Sequence, residues 1–130
     1  MNDEWKVAPG NEDNHYEGTI QPMEFIEGKN LGFVEGNVIK YISRHKKKAG
    51  KLDLGKALWY LNRLLDKTDG KEYLTEDHSV KAFVESQKFS QLEAAIINKF
   101  MDYMIYRRTA DLYQVRDMIK TLSLIEYGND

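Results

Sequence analysis

The sequence predicts an all-α fold, a compact bundle of four or five helices with an irregular N-terminal arm. Apolar residues recur at three- and four-residue spacing along most of the chain, and helix start and stop signals fall between those runs. The connections are short or medium, which favours helix-on-helix packing over a sheet. At 130 residues, 42% hydrophobic and 31% charged, the chain has the length for one core and a composition unlike that of a disordered polypeptide. One helical domain over 1–130 is therefore expected.

Residues 1–21 are polar, and Pro9-Gly10-Asn11-Glu12-Asp13-Asn14 is a turn signal, so this segment reads as the arm. A short helix follows over Gln21 to Glu27, with Pro22 at the first position, where a missing N–H costs nothing, and Gly28-Lys29-Asn30 ending it. A second helix is predicted from Gly32 or Phe33 to Lys47, with Phe33, Val34, Val38, Tyr41, Ile42 and His45 as its apolar stripe. Gly36 weakens it by about 1 kcal/mol relative to alanine, and either admits a close neighbour or is simply tolerated. Lys46-Lys47-Lys48-Ala49-Gly50-Lys51 makes a basic helix end and a turn, matching the negative pole of the helix dipole.

Asp53 is expected to cap or start a third helix whose inner face is Leu54, Ala57, Leu58, Leu61 and Leu65, ending near Thr68-Asp69-Gly70. Residues 70–79 form a polar connection with a short turn around Glu72-Tyr73-Leu74. Val80 to Lys88 is either a helix or the first part of a longer one. Ser90-Gln91-Leu92-Glu93 has capping-box spacing, and Leu92, Ala95, Ile96, Phe100 and Met104 carry a stripe to about residue 107. Thr109 is positioned to cap a last helix, buried through Leu112, Val115, Met118, Ile119 and Leu122 and ending near Gly128.

The 19 Lys and Arg against 21 Asp and Glu give a net charge of -2, which supplies no global attraction to nucleic acid or anionic lipid but leaves room for a local basic patch. The absence of cysteine removes disulfides, thiolate nucleophiles and zinc-thiolate sites. Met1 to Lys6 has no basic segment followed by an apolar run, and no apolar stretch approaches a bilayer span. A cytoplasmic location without membrane contact is the expectation. The chain lacks a P-loop, a dinucleotide fingerprint, a zinc-protease motif and a serine nucleophile elbow. Its 8 Tyr, 5 Phe and 2 Trp are ample for a small bundle and favour a homo-oligomer that buries surplus ring surface.

The segment from Gly32 to Arg63 carries the chemistry. Asn37, Lys40 and Arg44 fall on one side of the second helix, and Lys56, Tyr60 and Arg63 on one side of the third. If the two helices pair antiparallel, four cations converge on an anionic ligand, and phosphate suits a set of arginine forks and lysine point charges. Asn37 can hold a base or ribose, and Trp59 or Tyr60 can stack on a base, although Trp59 reads as core before it reads as a platform. The bland alternative is that these charges coat two solvated helix faces. His15 can donate to phosphate or act as a general acid, yet a lone histidine in a polar arm is as readily an exposed or packing residue. Glu24 and Glu27, with Glu35 from the next helix, can share a magnesium ion through oxygen ligands, and ordinary solvent-facing glutamates are the alternative. Three histidines without paired ligand spacing give a zinc site little support.

Asn14-His15-Tyr16, Pro22-Met23-Glu24-Phe25-Ile26, the run from Leu31 through Gly36-Asn37-Val38-Ile39-Lys40-Tyr41 to Arg44, and the run from Asp53 through Lys56-Ala57-Leu58-Trp59-Tyr60-Leu61 to Arg63 resemble a bacteriophage family of unknown function, numbered 3310. Its members are often described as nucleotide kinase-like. The resemblance spans residues 14–66 and leaves 79–127 for core, site completion or oligomerisation. It implies a protein of the infected host cell's cytoplasm that moves a phosphoryl group from ATP to a deoxynucleoside monophosphate without a P-loop. His15, Lys40 and Arg44 would then be catalytic, and Tyr16, Asn37, Tyr41, Lys56, Trp59, Tyr60 and Arg63 would bind nucleotide. Magnesium would bridge the phosphates, with Glu24, Glu27 or Glu35 as protein contacts. The alternatives are a noncatalytic nucleotide sequestrant or host-protein inhibitor, and a magnesium-dependent nucleoside triphosphate pyrophosphatase. The latter lacks a second paired-carboxylate motif on the distal helix. Direct nucleic-acid binding has less support, because no arginine-rich tract extends the three lysines.

Overall fold

The computed structural model describes residues 19–66 and 79–128, and among these it contains six α-helices: α1 (Pro22–Gly28), α2 (Phe33–Arg44), α3 (Lys51–Leu65), α4 (Ser79–Ser86), α5 (Gln91–Tyr106) and α6 (Thr109–Tyr127). The all-α class stands, but the count of four or five helices is corrected to six. The N-terminal arm with His15 and Tyr16, the end expected of the third helix at residues 68–70, and the turn around Glu72-Tyr73-Leu74 lie outside the described residues.

The sixth helix arises where the sequence left two readings for Val80 to Lys88. Ser90 has extended backbone (φ -65°, ψ 167°), so the helical run is broken there and α4 stands apart from α5. The capping box holds the break: the Glu93 N–H donates to Ser90 Oγ at 3.1 Å, and the Ser90 N–H donates to Glu93 Oε1 at 2.7 Å. Phe89 then turns its ring edge onto Phe83 at 6.2 Å.

Three further expectations about helix ends are corrected. Asp53 does not cap α3; Gly50, at φ +56°, occupies that position, and Asp53 lies within the first turn. A side chain on Gly50 would be strained at this φ and would meet the Tyr127 ring at 3.1 Å. At α6 the cap position belongs to Arg108, with no side-chain cap bond, and Thr109 is the first helical residue. The Arg108 guanidinium instead reaches Asp111 at 2.9 Å. α2 stops at Arg44, short of Lys47, and residues 45–50 make the turn into α3.

α2 and α3 form the closest helix pair, α3 lies on α6, α6 on α5, and α5 also meets α2. Val38, Ile39 and Ile42, Leu54, Ala57 and Leu61, Ile96, Ile97 and Phe100, and Leu112, Val115 and Ile119 are fully buried where these four helices meet. α1 and α4 close one side. Phe25 stacks on Phe83 at 4.2 Å between ring centroids, and the Ile20 backbone is tied to α4 through Ser86 Oγ (3.2 Å) and Gln87 Nε2 (2.6 Å). Gly36 does admit a close neighbour: a Cβ there would lie 3.0 Å from Ile26 of α1. Phe33 and Ala95 depart from the predicted apolar stripes and are exposed. No described helix is long and apolar enough to cross a membrane.

Phe83 is fully buried between Phe25 and Phe89, so Phe83→Ala is expected to lower the unfolding free energy by about 3–5 kcal/mol, measured by urea denaturation. Ser90→Ala, which removes one half of the capping box, is expected to cost about 1 kcal/mol in the same experiment.

Candidate functional site

The 3.6-residue period places Phe33, Asn37, Lys40, Tyr41 and Arg44 along one flank of α2, and Lys56, Trp59, Tyr60 and Arg63 along one flank of α3. The six-residue turn folds the helices antiparallel, so Arg44 faces Asp53, Tyr41 faces Lys56 and Tyr60, and Phe33 faces Tyr60. The two flanks merge into one surface.

Tyr41 is the centre of its cationic part. Arg44 Cζ lies 4.9 Å from the ring centroid, Lys40 Nζ 5.1 Å and Lys56 Nζ 5.3 Å, distances at which a cation is attracted to the ring. Beyond Tyr41 the surface becomes aromatic. Tyr60 lies nearly parallel to Tyr41 at 6.0 Å, Phe33 meets Tyr60 edge-on at 5.9 Å, and Trp59 does so at 5.0 Å. Arg63 Cζ sits 5.2 Å from the Trp59 ring centroid, closing the far end with a further cation. Trp59 is 56% exposed and Phe33 76%, so the reading of Trp59 as core is corrected: it lies on the solvent side of α3. The Asn37 amide donates to the Phe33 carbonyl of its own helix at 2.7 Å, which leaves its side-chain oxygen to accept.

Only Arg44 among these cations makes an ion pair within the described residues. Its Nε and Nη2 donate to the two carboxylate oxygens of Asp53 at 3.2 and 3.0 Å, and the Ala49 N–H donates to Asp53 Oδ2 at 3.0 Å. Asp53 is fully buried. Burial alone would raise its carboxyl; the hydrogen bonds from Arg44 and Ala49 and the charges of Arg44 and Lys56 outweigh it and hold it below the usual range. Lys40, Lys56 and Arg63 have no ion pair among the described residues, which leaves this surface net positive on a chain of net charge -2.

A second polar cluster lies one residue further on, inside the bundle. His45 Nε2 stands 2.6 Å from Glu93 Oε2, and His45 Nδ1 stands 2.6 Å from the Tyr127 hydroxyl. An ionised carboxylate only accepts, so Nε2 carries the proton toward Glu93; in the neutral ring Nδ1 accepts from Tyr127. Lys46 Nζ adds contacts to Glu93 at 3.2 Å and Glu126 at 3.6 Å. Burial pushes the Glu93 carboxyl up, but bonds from His45, the Ser90 N–H and Lys46 prevail and hold it at about 2. Burial and the charges of Glu126 and Glu93 raise the Tyr127 hydroxyl, keeping it protonated.

The proposed magnesium ligands are dispersed. Glu24 and Glu27 are exposed on α1, and the Glu35 carboxylate folds back against Gly32 at the start of α2. No three His, Asp or Glu side chains group closely enough to hold a metal ion among the described residues. His45, Glu93 and Tyr127 were not singled out together from the sequence. A titratable ring on the core side of α2 was the available signal, because a buried imidazole needs polar partners.

The fold and this surface define a small all-α protein with an open cationic and aromatic face on a helical hairpin. Over residues 10–62 the chain is similar to the model of the family described as a protein of unknown function, DUF3310. The match takes in α1, α2 and α3 to Asn62, hence all of the face except Arg63. No curated protein and no solved structure matches the chain.

The Glu93 carboxyl is more acidic in the folded chain than its ordinary 4.5, so folding favours its ionised form. That contribution is complete above about pH 4.5 and is lost as pH falls toward about 2. Urea denaturation across this range should show stability falling with acid, and Glu93→Gln should flatten that fall by on the order of 2–3 kcal/mol. An unchanged acid slope in the variant would show that Glu93 is not held by these partners.

Proposed function

We propose that the α2–α3 face binds a phosphorylated nucleotide, with Lys40, Arg44 and Lys56 at the phosphates and Tyr60 and Trp59 against the base. The observation that carries this reading is the gathering of three cations within 5.3 Å of the Tyr41 ring centroid, two of them lysines without an ion pair among the described residues, beside rings open to solvent. Phosphate satisfies the cations by charge-assisted hydrogen bonds, and a base covers the rings. Asp53 orients Arg44 while leaving its remaining N–H groups for a ligand.

The activity that this binding serves is phosphoryl transfer from ATP to a deoxynucleoside monophosphate in a phage-infected cell, as the family resemblance implies. In such a transfer the protein's main work is positioning and neutralising charge on the moving group, the task for which Lys40, Arg44 and Lys56 are suited. Magnesium is assigned to the nucleotide phosphates, with Glu24, Glu27 or Glu35 as protein contacts, and His15 to positioning or protonating an oxygen. Sequestration without turnover would use the same face.

Equilibrium dialysis against ATP and each deoxynucleoside monophosphate, joined to ion-exchange analysis of the products with magnesium present, tests the reading. The double variant Lys40→Gln, Lys56→Gln is expected to bind nucleotide about tenfold or more weakly with unchanged thermal unfolding. A diphosphate product with matching ADP establishes transfer, and binding without turnover establishes sequestration. A folded protein that binds no nucleotide, or a double variant that binds as well as the parent, removes the assignment of the face.

A further inference from the structure

The arrangement of charge and rings says more about the ligand than that it is a nucleotide. Cations stand at both ends of the aromatic group: Lys40, Arg44 and Lys56 around Tyr41, and Arg63 over Trp59. Lys56 and Arg63 are seven residues apart on one helix, about 10 Å along its axis. Between them lie Tyr60 and, edge-on to it, Phe33 and Trp59. An isolated nucleotide places all its phosphates on one side of its base and so engages one end of such a surface. A chain of nucleotides has phosphate on both sides of a base and engages both.

The openness of the face points the same way. Sites for isolated small ligands are concave and enclose most of the ligand, whereas Phe33 and Trp59 are 76% and 56% exposed. Stacking on exposed rings also requires the faces of unpaired bases, which a duplex conceals.

We infer that the α2–α3 face takes a single-stranded nucleic acid, with linked phosphates held at the Lys40–Arg44–Lys56 and Arg63 ends and unpaired bases stacked on Tyr60, Trp59 and Phe33. The inference rests on the assignment of this face to phosphate and base, and it replaces the isolated nucleotide of that reading with two or more linked nucleotides as the ligand the face prefers. Because aromatic stacking accepts any base, sequence preference is slight.

Fluorescence anisotropy of a labelled twelve-nucleotide thymidine oligomer, with its duplex, dTMP and dTTP as competitors, tests this on the full chain. The single strand is expected to bind at least about tenfold more tightly than dTMP, dTTP or the duplex. With three or four phosphates neutralised, its affinity should fall about 20- to 50-fold between 50 and 200 mM salt, and Lys56→Gln and Arg63→Gln should each lower the logarithmic salt slope by about 0.7. Trp59→Ala should weaken binding at least about fivefold with the slope unchanged, and Trp59→Phe should recover most of it. Circular dichroism of each variant establishes that it is folded. If dTMP or dTTP binds as tightly as the oligomer and Arg63→Gln has no effect, the ligand is an isolated nucleotide; the inference fails and the nucleotide assignment stands. Equal binding of duplex and single strand removes the stacking role and overturns the inference. If neither oligomer nor nucleotide binds the folded protein, both readings fall.

Discussion

The Asp53 carboxylate closes the turn on which the face depends. It is fully buried at the start of α3 and receives the Arg44 fork from the end of α2 and the Ala49 N–H from the turn between them. A carboxylate withdrawn from water is tolerable only when its lone pairs are met by strong donors, and here the donors come from both sides of the turn. Their geometry sets how α2 and α3 run past each other, and so which residues of the two flanks become neighbours. Tyr41 meets Lys56 and Tyr60 in the same register in which Arg44 meets Asp53.

A second buried carboxylate joins this hairpin to the rest of the bundle. Glu93 completes the capping box of α5 and at the same time receives His45 and Lys46 from the α2–α3 turn, while His45 continues to Tyr127 at the end of α6. One side chain thereby joins an α5 start, the turn after α2 and, through His45, the α6 end. Both carboxylates answer cations or donors that lie inside or at the edge of the bundle. Lys40, Lys56 and Arg63 are left without ion pairs among the described residues, so the cations of the outer face are not neutralised within the described fold.

The ingredients of the face were legible because the spacing of Asn37, Lys40 and Arg44, and of Lys56, Tyr60 and Arg63, places each set on one flank of a helix. Their environments were less so. Phe33 and Trp59 are large and apolar, and periodicity alone puts such residues in the core; only the position of the facing helix shows that both stand outside it. Asp53 has the residue type and place of an N-cap, but the cap falls to Gly50, whose left-handed backbone turns the chain before Asp53 arrives. The pairing of His45 with Glu93 joins residues 48 apart in sequence, a relation that no local pattern encodes.

By itself the sequence determined the helical class, the apolar stripes of α2, α3, α5 and α6, the capping box at Ser90 and Glu93, and the presence of clustered cations on two neighbouring helices. These follow from the helical period and from hydrogen-bonding needs local to a few residues. Tertiary structure alone decided that α4 and α5 are separate helices, that Asp53 and Glu93 are buried partners of Arg44 and His45, and that Phe33 and Trp59 stand exposed around the half-buried Tyr60 in a group ending in Arg63. Burial and partnership depend on what another helix brings to the same place, and that is set by how whole faces pack, not by the order of residues within one element.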